Sequence, residues 1–159
     1  VETYQVGVIA LALFALFAGF AFYSWRRRIT KQASFLDAPE FVHGNEDGFK
    51  TFYVATTFGN RPLERIVAHG FAHRGIAYLS LSKDYLVVSR VGEKSFTVPI
   101  SAISSVSNNS SVIDRAVETN GLLTISWRLG EEVVDSHFRF VNTEHREAMV
   151  RELQTLVGV

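Results

Sequence analysis

His69 and His73 stand four residues apart around Gly70-Phe71-Ala72, a spacing that on one helix face offers two imidazoles to a zinc ion. No HExxH glutamate accompanies them, and Gly70 weakens a helix at that point. On a strand the pair would share a face about 13 Å apart, beyond the reach of one ion. Both are expected as polar strand or loop residues. His137 alternates with apolar neighbours and is expected on the outer, solvated face of a strand. Asp114, His137 and a serine between Ser101 and Ser111 supply the residue types of a hydrolase triad, but no nucleophile elbow surrounds any serine. Neither G-x-G-x-x-G nor a Walker loop occurs. The absence of cysteine removes thiolate zinc sites, disulfides and Cys nucleophiles. No catalytic residue, metal or cofactor is assigned, and the chain is not read as an enzyme.

What remains is charge. The chain has 16 Lys+Arg and 16 Asp+Glu, but they are unevenly placed. Glu2 is the one charge before Arg26; Arg26, Arg27, Arg28 and Lys31 form a basic collar; the remainder is mildly acidic, with a net charge of −3. Anion binding by a small β domain needs several Lys or Arg converging in one loop, where charge-assisted bonds hold a phosphate. Arg61, Arg65 and Arg74 are the candidates, opposed by Glu64. Trp127 shares its register with Ile125 and Leu129 and reads as core rather than as a ligand platform.

These groups hang on two kinds of element. Thr3 to Trp25 carries no charge, and at roughly 1.5 Å per residue it reaches about 34 Å, enough for a hydrocarbon core of about 30 Å. Its Val, Ile, Leu and Phe side chains favour insertion by a sum of about 3–6 kcal/mol. Tyr4, Tyr23 and Trp25 fit interfacial anchoring. A cleaved signal peptide would carry its positive charge before the apolar run, whereas here it follows. Residues 1–25 are therefore expected as a transmembrane helix. The positive-inside rule puts the amino terminus outside and the rest in the cytoplasm, at the inner (plasma) membrane. Ala12, Ala15 and Gly19 share one helix face and form a candidate packing face for another helix.

Residues 26–48 are expected as basic collar and connector, because residues 33–48 show neither helical nor strand period. Residues 49–159 are expected as the cytoplasmic domain. Lys50–Phe58 is strand-like. Leu63–Val67 fits a short helical turn or part of the next strand. Ile76–Leu81 and Tyr85–Val91 flank Ser82-Lys83-Asp84 as a hairpin; Lys94–Ile100 and Ser101–Val106 follow as strands, then a polar loop at Ser107–Ser111. Asn120-Gly121 signals a turn. Leu123, Ile125, Trp127 and Leu129 alternate with polar residues, and Gly130-Glu131-Glu132 turns into Val134, Phe138 and Phe140. The last segment takes the helical period, with Asn142 or Thr143 as cap, Glu144 in the first turn, and Met149, Val150, Leu153, Leu156 and Val157 as the apolar face. About six or seven antiparallel strands and a carboxy-terminal helix make a mainly-β, partly open barrel with the helix closing one end.

That order of elements resembles the pleckstrin-homology (PH-like) superfold over about residues 50–157. More narrowly, the chain is similar to small actinobacterial single-pass membrane proteins with a PH-like domain. Tyr-Val-Ala-Thr-Thr (53–57), Leu-Glu-Arg-Ile-Val-Ala-His-Gly (63–70), Arg-Gly-Ile-Ala (74–77) and the stretch 113–122 running to Trp-Arg-Leu-Gly (127–130) carry the resemblance. Members are often described as export, transporter or PH-like membrane proteins, commonly encoded beside pyrimidine-biosynthesis genes. A single helix cannot enclose a translocation path unless it oligomerises, which argues against a transporter. Val1 fits a GTG start codon read literally, so the sequence is expected to be full-length.

The resulting expectation is a membrane-anchored, non-catalytic interaction module: a scaffold or accessory subunit holding a protein partner at the inner membrane. The resemblance makes a pyrimidine enzyme one candidate partner, and a membrane complex is another. The alternative is an anionic-lipid or phosphoinositide-type sensor; an enzyme comes third. Membrane lipids are expected to contact the chain, and nucleic acid is not.

Overall fold

A computed structural model describes residues 3–108 and 121–158. Its first element, α1 (Thr3–Phe35), is a single helix of 33 residues. The helix does not stop at the aromatic end of the apolar run. Residues 26–35, expected within a collar and connector, continue it, because Arg, Lys, Gln and Ala are all good helix formers. None of the side chains in its apolar window is buried by the rest of the chain. Near its end this changes. Ile29 is half-buried, and Gln32 and then Leu36 are buried, a spacing that turns one helix face onto the domain.

Among the described residues nine strands follow: β1 (Glu40–Val42), β2 (Phe49–Phe58), β3 (Arg61–Arg65), β4 (Gly75–Leu81), β5 (Tyr85–Arg90), β6 (Ser95–Pro99), β7 (Ile103–Ser107), β8 (Leu122–Leu129) and β9 (Glu132–Arg139). Helix α2 (Thr143–Val157) ends the chain. The strands form one open antiparallel sheet in the order β1-β6-β5-β4-β2-β9-β8-β7, with β3 pairing β2 off that path. The two strands beyond the expected six or seven are β1, three residues long within a Pro- and acid-rich stretch, and β3, which contains Pro62. Short, Pro-bearing strands at an edge leave little periodic signal. The open alternative at Leu63–Val67 resolves to strand: Arg65 pairs with Thr57 on β2, and the 3-10 turn comes later, at Ala68–Gly70.

The hairpins follow the expected alternation. β4 and β5 pair from Ala77↔Arg90 to Leu81↔Leu86, and β8 and β9 from Leu122↔Arg139 to Leu129↔Glu132. The β8–β9 connection starts at Gly130, whose φ of 62° lies where a Cβ is disfavoured. A Cβ there would also displace the exposed Asp37 carboxylate, a movable side chain, so the backbone angle is what favours glycine.

The core gathers residues of the strands with Leu36, next to the end of α1, and Met149 and Leu153 of α2. Tyr53, Phe58, Phe71, Phe96, Trp127 and Phe138 are its large members, and Trp127 stacks on Phe96 with centroids 6.3 Å apart. Helix α2 starts at Asn142, whose side chain accepts from the His145 N–H at 3.2 Å, and ends at Gly158 with φ 75°. It buries Met149 and Leu153, while Leu156, expected on the same face, is 41% exposed. β2 gives the domain its long axis. Its first residue, Phe49, packs on His145 of α2, and its last, Phe58, stacks on Phe35 of α1 at 5.8 Å. Ten extended residues span roughly 30 Å, so the two helices meet opposite ends of the domain.

Candidate functional site

The place where α1 enters the domain is built around Gln32, which is 3% exposed. Its Oε1 accepts the backbone N–H of Val67 at 2.7 Å and of Ala68 at 3.3 Å, and its Nε2 donates to the Arg65 carbonyl at 3.1 Å. One turn earlier, Arg28 donates to the same carbonyl at 3.2 Å. One turn later, Leu36 enters the core, and its carbonyl accepts from the His69 ring at 2.7 Å. His69 holds a φ of 55°, the one positive value away from glycine among the described residues. The helix thus completes the hydrogen bonding of a strand end and a 3-10 turn that have no partners of their own there. Five side-chain hydrogen bonds and the Leu36 side chain tie the helix end to the domain at this joint.

Around the joint lie the basic candidates. Arg65 donates to the carbonyl of Val54, where β2 bulges against β9. Burial first, then the like charge of Arg74 and of Arg28, holds the Arg65 guanidinium below its ordinary pKa, against a favourable effect from Tyr53. Arg28, Arg65 and Arg74 therefore share one neighbourhood. Arg61 does not join them as a free cation: it bonds Glu64 at 2.7 Å and lies 4.5 Å over the Phe58 ring. In the collar, Arg26 lies over Phe22 at 5.7 Å, and Arg27 and Lys31 are exposed. Ala12, Ala15 and Gly19 are exposed on α1, and a Cβ on Gly19 would meet nothing within 4 Å.

The polar groups singled out for chemistry are otherwise placed. His137 is not on a solvated face; it is fully buried on β9, the strand between β2 and β8. The Thr57 hydroxyl bonds its Nε2 at 3.0 Å and the Thr124 hydroxyl its Nδ1 at 2.9 Å, so both ring nitrogens are satisfied without water. Burial pushes its pKa down to about 4, so the ring is neutral at pH 7. His73 faces Glu93 at 3.9 Å, away from the partner of His69. Asp114, the stretch 113–122 up to its last two residues, and most of the Ser107–Ser111 loop and the Asn120-Gly121 turn lie outside the described residues.

A second buried polar chain runs through the core. Trp127 Nε1 donates to Ser136 Oγ at 3.0 Å; Ser136 and Thr56 hydroxyls are 3.0 Å apart; Thr56 and Tyr53 hydroxyls are 2.7 Å apart. Burial raises the Tyr53 phenol to about 12. Arg90 lies 4.6 Å over the Tyr53 ring and donates to the carbonyls of Gly70 and His73. Arg90, together with the Tyr53 hydroxyl donating to the Phe71 carbonyl at 3.4 Å, fastens the segment after the joint to the sheet. Sequence reasoning missed both Gln32 and Arg90. An amide following a basic collar and an arginine ending a strand carry no pattern of their own.

Open grooves also lie among the described residues. One of about 920 Å³ lies between β1 with the loop after it and the β5–β6 turn, and includes Phe41, Asn45, Ser89 and Lys94. Another, of about 440 Å³, lies between the β4–β5 turn and α2, lined by Leu81, Lys83, Arg151 and Leu156.

Residues 32–154 match the model of a family described as bacterial PH domain-like. The chain belongs to that family. The match begins at Gln32, so this PH-like domain includes the end of α1. No curated protein matches the chain. Among solved structures, the PH-like chain is similar to inner membrane complex sub-compartment protein 3 of Toxoplasma gondii, at 15% identity and a TM-score of 0.40, over 68% of this chain and 73% of that one.

Proposed function

We propose that the protein is a single-pass membrane anchor carrying a non-catalytic PH-like interaction module, a scaffold or accessory subunit that holds a protein partner at the inner membrane. The observation that carries this is the passage of α1 from its apolar run straight into the domain through Gln32 and Leu36. A helix used only for tethering would be followed by a flexible linker. One wedged into the fold fixes where the domain stands relative to the bilayer. The charge asymmetry about α1 supports an orientation with the amino terminus outside and the domain in the cytoplasm. The α2 end then lies roughly 30 Å from the joint and is the part presented to a partner.

A scaffold reading also suits the chemistry of the buried groups. His137, Tyr53 and Arg90 each make internal bonds, and Arg90, which also lines the larger groove with Glu46 and Glu93, has its guanidinium held by the Gly70 and His73 carbonyls. The test is photocrosslinking in native membranes from a reactive side chain at Leu156, with one at Val141 as control. A discrete protein adduct specific to position 156 and lost with Arg151→Glu is expected. Absence of any site-dependent protein adduct, together with head-group-selective vesicle binding by the full chain, would replace this reading with that of a lipid sensor.

A further inference from the structure

We propose that the segment Arg61–Arg65, together with Arg28 and Arg74, forms a face resting on the anionic lipid leaflet from which α1 emerges, with Leu63 entering the headgroup layer. This rests on the reading that α1 spans the membrane. Trp25 closes the uncharged run, and Arg28 follows after about 4.5 Å of helix rise. Each headgroup layer is about 5–7 Å deep, so Arg28 lies within it. Arg28, and Gln32 one turn further from the apolar run, both bond the Arg65 carbonyl, so β3 stands about 5–10 Å beyond Trp25, at the outer part of that layer. Leu63 is two residues away, within about 7 Å along the chain, and is 87% exposed.

Exposure alone decides nothing, since Val141 is 99% exposed at the α2 end. What distinguishes Leu63 is its depth and its company. Arg65 lies two residues on, Arg28 is bonded to its carbonyl and Arg74 is close enough to act on Arg65, and each such charge is attracted to an anionic surface by about 1 kcal/mol. Glu64, the acidic residue of the segment, is neutralised locally by Arg61. The joint at Gln32 prevents the domain from swinging this face away.

The chain has no cysteine, so single cysteines introduce unique labels into the full-length protein. Phe14→Cys, Leu63→Cys and Val141→Cys, each carrying a fluorophore, are reconstituted into vesicles of phosphatidylcholine with or without phosphatidylglycerol, containing nitroxide lipids. Deep nitroxides are expected to quench position 14, and headgroup nitroxides to quench position 63 several-fold more than position 141. Aqueous iodide should show the reverse order for 63 and 141. Arg74→Glu, at an exposed position, should weaken quenching at 63 on anionic vesicles while leaving the melting transition intact. Equal iodide access at 63 and 141, with 14 still quenched, overturns this inference and leaves the spanning reading standing. Loss of quenching at 14 overturns both. Equal quenching at 63 on neutral and anionic vesicles overturns the assignment of charge.

Discussion

Gln32 and Val67 are 35 residues apart in sequence and joined by a 2.7 Å hydrogen bond from the Val67 N–H to the Gln32 side-chain oxygen. Through it, the end of an apolar helix supplies the acceptor that a turn in the β domain lacks. Replacing Gln32 with Leu keeps the volume and removes the acceptor, leaving buried N–H groups unpaired. The expected loss is about 1–3 kcal/mol, read from urea unfolding of the full chain in detergent. A variant as stable as the parent would show that the amide is dispensable and that Leu36 alone holds the joint.

His137 makes stability depend on pH in a defined window. Its pKa in the folded protein is about 4 against 6.5 unfolded, so the unfolded chain binds more protons between those values. Stability should be independent of this group above pH 6.5, fall as pH drops from 6.5 towards 4, and lose up to about 3 kcal/mol in all. Urea midpoints measured at several pH values should carry this slope in the parent and lose it in His137→Gln. An unchanged slope in that variant would assign the dependence to other groups.

The two sides of α2 should respond differently. Met149→Ala and Leu153→Ala each open a cavity in the core and should cost about 2–5 kcal/mol. Leu156→Ala, half out of the fold, should cost under about 1 kcal/mol. Equal costs at 153 and 156 would mean that the helix packs with a different face.

Topology follows from Glu2 on one side of α1 and Arg26–Lys31 on the other. A reporter after Val159 should be protected in intact cells and exposed on permeabilisation. Moving the arginines ahead of the helix should weaken or invert this orientation. Access to the reporter from outside in the parent would reverse the assignment.

The sequence made some of this legible and hid the rest for physical reasons. The β8–β9 hairpin and α2 were readable because Leu123, Ile125, Trp127 and Leu129 keep a strict period of two, and Asn142 caps a run of period 3.6. His137 was misread because alternation was taken to mean that one strand face meets water. In the structure, threonines on both neighbouring strands take its ring nitrogens and let it be buried. The joint was invisible for a different reason. Local periodicity does not register a polar residue whose partners are 33 to 36 positions away. Among the candidate arginines, the close pairing of Arg61 with Glu64, which sets Arg61 apart from Arg65 and Arg74, was not readable from spacing alone.

Because α1 is unbroken from Thr3 to Phe35, the number of residues between Trp25 and Gln32 sets an angle as well as a distance. Each inserted residue would turn the domain by about 100° about the helix axis and lift it about 1.5 Å. One added alanine after Trp25 would turn the domain by about 100° relative to the Ala12, Ala15 and Gly19 face of the same helix. Seven would nearly restore the azimuth while raising the domain about 10 Å clear of the lipid. The short basic stretch is thus a phase setting, and its length is as much a specification of the protein as any side chain within it.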